Sequence, residues 1–180
     1  MRLYQSPASS NARRAVLAVH ELGADVELVP VDLAKGEQRR PDYLAMNPFG
    51  KVPVLDDDGF FVTESLLIMQ YLAEKTPGQR LYPSGLRART RVKRWLFWSA
   101  HHFAPAVGIL NWEHFVKPFL GQGDAEPALV KKGETQVGEC ARFLDAVLGE
   151  GFDRQEFGDR NGDDFLDRAE TLGDEDAGDL

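Results

Sequence analysis

Asn47-Pro48-Phe49-Gly50-Lys51-Val52-Pro53-Val54-Leu55-Asp56-Asp57-Asp58-Gly59-Phe60-Phe61-Val62 sets two short apolar runs around an Asp-Gly pair. Such a pair between apolar runs is a strong hairpin signal, because both residues tolerate the positive φ of a tight turn. Residues 51–55 and 60–62 are therefore expected strands. Pro53 has no N–H to donate, which suits an edge strand or a strand start. Just downstream, Thr63-Glu64-Ser65 supplies capping chemistry ahead of Leu66, Leu67, Ile68, Met69, Tyr71 and Leu72, so a helix follows.

Working outward, residues 2–5 are a short apolar-led stretch that reads as a strand. Ser6-Pro7-Ala8-Ser9-Ser10-Asn11 supplies turn and cap residues. A helical run with Val16, Leu17, Val19 and His20 then stops at Gly23. Val26-Glu27-Leu28-Val29-Pro30-Val31 alternates with a period near two and reads as a strand. Two strands joined through a helix are parallel. Residues 35–45 are polar, a short helix or irregular. The order through residue 75 is βαβ, a polar connection, ββ, α. From Thr76-Pro77-Gly78-Gln79 to Pro83-Ser84-Gly85 the chain reads as a linker, and no strand pattern follows it. Helical periodicity returns at 87–103 and 128–148. The expected organisation is an α/β domain at 1–76, a linker at 77–85, an all-helical domain at 86–149 and an acidic, poorly ordered tail at 150–180.

The 180 residues carry a net charge of −8, but the average conceals an asymmetry. Residues 150–180 hold twelve acids against three arginines, a net −9, which leaves the first 149 residues at +1. Neither part shows a basic stripe with interleaved aromatics, so nucleic acid is not an expected partner. No run approaches the roughly 18 apolar residues of a membrane span, and no membrane partner is expected. Met1-Arg2-Leu3-Tyr4 leads into folded-looking sequence without a signal-peptide pattern. The single cysteine, Cys140, excludes an intramolecular disulfide and fits a cytoplasmic location. His101 and His102 are adjacent, point to different helix faces, and make no metal pair; no zinc ligand set is present.

Three separated pieces of the first 75 residues resemble the glutathione transferase family. Pro7-Ala8-Ser9-Ser10-Asn11-Ala12-Arg13-Arg14 is similar to the segment that carries the activating serine in serine-type members. Asn47 to Leu55 matches the family's N-P-x-G-x-V-P segment. Glu64-Ser65 before an apolar helix matches its E-S helix start. The similarity covers residues 1–148 and is nearest to bacterial, phi-like or theta-like members. It implies a thioredoxin-like N-terminal domain followed by an all-α helical domain, with glutathione as co-substrate and a small apolar electrophile as its acceptor. A homodimer is implied by the resemblance alone.

The resemblance also implies a role for each matching residue. Val52, before an implied cis Pro53, offers its main-chain N–H and C=O to the cysteinyl part of glutathione, which pairs like an added strand. Ser65, with the free N–H groups of its helix start, suits the γ-glutamyl carboxylate, and Glu64 its ammonium. Lys51 and Arg39 are candidate partners of the glycyl carboxylate, with Gln38 adding a hydrogen bond. Ser9 is the expected thiol activator, four residues before Arg13; Ser10 and Asn11 stay open as alternatives. A hydroxyl donating to sulfur at a helix N-terminus stabilises the thiolate, and lowering the thiol pKa from about 8.5 to about 7.5 takes only about 1.4 kcal/mol. The plainer reading of each is also open: Ser9, Ser10 and Ser65 as helix caps, Arg39-Arg40 as a solvated pair, Pro53 as an edge-strand proline. Trp95, Trp98, His102, Phe103, Trp112 and Phe115 are candidates to line an electrophile site between the domains, although aromatics at helical spacing are commonly core.

After residue 148 the family pattern stops. The chain then turns acidic and glycine-rich, which suggests a truncated or frame-shifted product, an incomplete helical bundle and exposed apolar surface. A non-catalytic glutathione-binding or protein-interaction module is the alternative this motivates. A second alternative is a calcium-responsive tail. Asp159, Asn161, Asp163, Asp167 and Glu170 fall at acidic or polar EF-hand loop positions, but Asp164 stands where the sharp turn needs glycine.

Overall fold

Leu3, Leu55 and Val62 lie on three short strands, and their burial on one face organises the first part of the molecule. The computed structural model describes residues 1–148. Strands β1 (Arg2–Gln5) and β2 (Glu27–Pro30) flank helix α1 (Ser10–Leu22) and pair in parallel, Leu3 opposite Leu28. After a 3₁₀ turn at Glu37–Arg39 and helix α2 (Pro41–Met46), β3 (Val54–Asp57) runs antiparallel to β1, Leu55 opposite Leu3. Strand β4 (Phe60–Val62) pairs back on β3, and helix α3 (Ser65–Lys75) follows. The four-stranded mixed sheet has the order β2-β1-β3-β4. Thus the polar stretch 35–45 contains both a 3₁₀ turn and a short helix.

Asp58 and Gly59 turn the hairpin with φ of 51° and 90°, as the tight turn requires. The buried Asp56 fixes it, accepting from the Gly59 N–H at 2.8 Å and pairing with Arg2 at 2.7 Å. One face of the sheet packs Leu3, Leu55 and Val62 on Ala15 and Val19 of α1 and on Ile68 and Leu72 of α3. A second cluster joins Val52 and Val54 to Ala12, Val31 and Tyr43. Leu3, Leu55 and Leu72 are fully buried; truncating any to alanine costs about 2–5 kcal/mol. The strand directions bring the ends of β1, β2 and β4 and the start of β3 to one edge of the sheet. The segments after β1, before β3 and after β4 therefore meet there.

The helical part departs from the sequence expectation in one respect. Helix α4 (Leu86–Trp98) does not stop at Phe103. It continues through a π turn at Ser99–Phe103, α5 (Ala104–Asn111), a second π turn at Trp112–Val116 and α6 (Lys117–Phe119). Each π turn closes one residue before a proline: the Ala104 N–H reaches the Ser99 carbonyl before Pro105, and the Lys117 N–H reaches the Trp112 carbonyl before Pro118. Proline cannot donate and crowds the carbonyl four residues back. One extra residue in the turn relieves that conflict without ending the helix.

Helix α7 (Pro127–Leu148) packs on α5. Gly133 permits the approach, because a Cβ there would lie 2.8 Å from the Leu110 side chain. The buried Glu113 accepts from the Glu126 N–H at 2.7 Å, just ahead of α7, and from Lys117 Nζ at 3.0 Å. Both contacts hold its carboxyl below the usual range, the backbone N–H contributing most. Trp98 stacks on Phe143 at 5.5 Å and on Phe103 at 6.0 Å. Leu86, Phe97, Trp112, Phe115 and Phe119 are exposed.

The chain divides into two compact units, Met1–Arg89 and Thr90 onward. The division falls inside α4 because Arg89 is held by the Pro83 carbonyl, by Glu74 at 3.0 Å and by the Tyr82 ring. The acidic tail at 150–180, its calcium-loop pattern and residue 149 lie outside the described residues. No described helix is long and apolar enough to cross a membrane.

Candidate functional site

Ser9 is the N-cap of α1. Its backbone is extended (φ −97°, ψ 118°), and its Oγ accepts from the Ala12 N–H at 3.3 Å. That contact uses a lone pair; among the described residues the hydroxyl proton of Ser9 has no acceptor. Ser10 lies one residue inside the helix and is exposed, as is Asn11. Ala12, three residues after Ser9, packs in the same cluster as Val52, which brings the α1 N-terminus and the segment before β3 together.

Val52 and Pro53 are buried, and the peptide bond between them is cis. The loop leading to them is tightly determined. Asn47 Oδ1 accepts from the Phe49 N–H at 3.1 Å, the Asn47 carbonyl accepts from the Gly50 N–H at 2.9 Å, and Gly50 sits at φ 59°. A side chain at Gly50 would stand 3.0 Å from the Gln38 carbonyl oxygen, so glycine is required twice over. That approach sets the turn bearing Gln38 beside the segment bearing Lys51. Gln38 Oε1 is buried without a hydrogen-bond partner, an arrangement that costs free energy until a donor arrives. The Lys51 and Arg39 side chains are exposed and, among the described residues, form no ion pair.

Glu64 occupies the third corner. It is the N-cap of α3 at φ 67°, a region that costs a non-glycine residue of order 1–3 kcal/mol. Its side chain is exposed and makes no capping bond, while Ser65 beside it is buried. The Ser65 hydroxyl accepts from Arg14 at 3.4 Å. Arg14 was not singled out in the sequence. Its guanidinium is half-buried, burial lowers its pKa, and among the described residues it has no carboxylate partner. Helical spacing contains the signal. Ala12, Ala15, Ala18 and Val19 mark the inward stripe of α1, Arg14 borders it, and Arg13 points to the opposite, exposed side. A cation beside the first-turn N–H groups of α3 forms an anion site.

Among the residues expected at an electrophile site, Trp95 and Trp98 pack on Phe143 and Phe103 stacks on Trp98 inside the helical unit, whereas His102, Trp112 and Phe115 are exposed. No group of three His, Cys, Asp or Glu side chains gathers for a metal among the described residues.

The first 74 residues match the family model described as glutathione S-transferase, N-terminal domain. Glutathione S-transferase 3 of Zea mays is 37% identical over 150 residues, which span 82% of this chain and 67% of that protein. The chain belongs to the glutathione S-transferase family. Among solved structures, glutathione transferase F7 from Populus trichocarpa aligns with a TM-score of 0.75 at 32% identity, over 82% of this chain and 70% of that one. Human glutathione transferase theta-2, solved in complex with glutathione and an unknown ligand, aligns at 0.76 and 32%, over 83% and 62%. The transferase thus has the expected thioredoxin-like sheet domain followed by helices. It spans about two thirds of the length of the maize relative.

Proposed function

We propose that residues 1–76 bind glutathione at the edge of the sheet and that Ser9 donates a hydrogen bond to its sulfur, poising the thiolate for attack on a small apolar electrophile. The observation that carries this reading is the division of labour at Ser9. Its lone pair caps α1 and, among the described residues, its proton has no acceptor, at the positive end of a helix packed on Val52. A thiol titrates near about 8.5 and reacts as the thiolate. A hydroxyl donor with a helix terminus favours the ionised form without itself being the nucleophile.

Glutathione is the ligand this edge suits. The free Val52 N–H matches an extended peptide, as in strand addition. Arg14, Ser65 and the start of α3 suit the γ-glutamyl carboxylate, and the exposed Glu64 its ammonium. Gln38, Arg39 and Lys51 suit the glycyl end, where the orphaned Gln38 Oε1 accepts from an N–H of the ligand. The glutathione bound in the human theta-2 structure supports the reading by kinship. By the same kinship we propose a homodimer; one free, buried cysteine is in keeping with the reducing cytoplasm.

Titration calorimetry with reduced glutathione, alongside conjugation assays over an electrophile panel, tests this. Saturable binding with turnover that collapses in Ser9→Ala upholds the reading. Binding without turnover on any electrophile leaves a non-catalytic glutathione-binding module, and absence of binding rejects the site.

A further inference from the structure

The carbonyl oxygen of Lys51 accepts two side-chain hydrogen bonds, from the Tyr43 hydroxyl at 2.8 Å and from Asn47 Nδ2 at 2.9 Å. Both donors come from one end of α2, Tyr43 within the helix and Asn47 as its C-cap. Both are buried, at 4% exposure each, so the pair is desolvated and directional. Two uncharged donors fill both lone pairs of this one loop carbonyl and so fix its direction.

The consequence lies one atom further along the chain. The Lys51–Val52 peptide bond is trans and planar, so its C=O and N–H point in opposite directions. Anchoring the carbonyl towards α2 turns the Val52 N–H away from α2, and among the described residues that N–H has no acceptor. Proline at 53 supplies no N–H of its own. The only main-chain donor between Lys51 and Val54 is therefore aimed by the two side chains that grip the opposite side of its peptide plane. We infer that Tyr43 and Asn47 are positioning residues for glutathione: they fix the plane of the Lys51–Val52 peptide so that Val52 presents a pre-oriented donor to the ligand backbone. The inference rests on the glutathione reading above and assigns its geometry to a specific pair.

Tyr43 suits this task better than a solvent-exposed donor. Its ring packs with Val52, Val54, Val31 and Ala12 and meets Tyr4 edge-on at 6.3 Å, which locks the direction of its hydroxyl. Burial pushes the phenol well above its ordinary range, so it remains a donor at every working pH. Asn47 is fixed from its other side, where Oδ1 holds the Phe49 N–H. Neither side chain needs to touch glutathione for its loss to be felt there.

Tyr43→Phe removes one donor and keeps the ring. With the full chain, reduced glutathione as titrant and one conjugated electrophile, the KM for glutathione and the calorimetric Kd should rise together by about three- to tenfold. The kcat at saturating glutathione should stay within about twofold, and the pKa of the bound thiol should hardly move, because Ser9 is untouched. A purely structural hydroxyl gives the opposite split, a lower Tm and a reduced active fraction with KM and Kd unchanged, and overturns the inference. Should Tyr43→Phe not fold, Asn47→Asp decides. It keeps an acceptor for the Phe49 N–H but replaces the donor to Lys51 with a repulsive oxygen. A Kd raised at least about tenfold supports the positioning role, and an unchanged Kd rejects it. If the unaltered chain gives no saturable heat with glutathione, the glutathione reading fails and this inference with it. Normal binding by the parent with unmoved variants sinks the positioning role alone.

Discussion

A serine can cap a helix and activate a thiol at once, because the first task takes a lone pair and the second a proton. Ser9→Ala separates the two. The bound thiol should titrate back towards about 8.5, and kcat near neutrality should fall about tenfold if its pKa climbs from about 7.5 to that value, with glutathione affinity nearly unchanged. Thiolate absorbance against pH, together with kcat and KM, reads this directly. Arg14→Met should do the reverse, raising the Kd for glutathione about ten- to a hundredfold, if the proposed charge-assisted hydrogen bond to the γ-glutamyl carboxylate is what holds that end; kcat at saturation should hold. A Kd that does not move removes Arg14 from the site. Ser9 as the N-cap of α1 was readable in the sequence from its cap chemistry, and its part in thiol activation rests on the proposal above. Arg14 was not readable, because an arginine after an arginine looks solvated. Only the placement of the alanine stripe around α1 separates the exposed Arg13 from the half-buried Arg14.

At the scale of elements, the hairpin was readable from Asp58-Gly59, whose positive φ values leave few other residue choices. The helix start at Ser10 was readable from its cap, Ser9; at Ser65 the apolar run marked the helix, but the N-cap Glu64 makes no side-chain capping bond, so Ser65 is not a cap. The continuous helix from Leu86 to Phe119 was not readable. The helical periodicity at 87–103 stops short of it, and nothing in periodicity announces a turn widened to admit a proline. Glu113 was equally hidden, since its partners are a backbone N–H thirteen residues away and Lys117 one turn on. It has a pH signature. Its folded pKa lies below the ordinary carboxylate value, so its stabilisation is complete above about pH 4–5 and vanishes as pH falls through the folded value. Glu113→Gln should lower Tm at pH 7, and by less at pH 4, where the unfolded carboxyl is already largely protonated. Thermal unfolding followed by circular dichroism at both pH values checks this, and an equal loss at both would remove the charge from the explanation.

For the molecule as a whole, the change from sheet to helix near residue 85 was legible as the disappearance of period-two patterning. The sheet order β2-β1-β3-β4 was not legible, since short strands do not state their neighbours. Ligand linkage offers a test at this scale. Glutathione at a hundred times its Kd should stabilise the unit that binds it by about 2.7 kcal/mol, a rise of several degrees in Tm. Hydrogen exchange should slow at Val52 and in the turn bearing Gln38, with residues 127–148 unaffected. Uniform slowing across both units would instead indicate that they unfold together.

The paired wide turns also bear on how this chain tolerates length changes. Each holds one residue more than an α-turn, so removing a residue from 99–103 would restore ordinary winding and leave the downstream helix in nearly its present orientation. Pro105 opposes that repair, because it would then collide with a carbonyl the widened turn now carries clear. Shortened versions of this segment should therefore be viable only where the proline has been lost as well. For deletion variants, extra residue and imino acid are therefore a coupled pair.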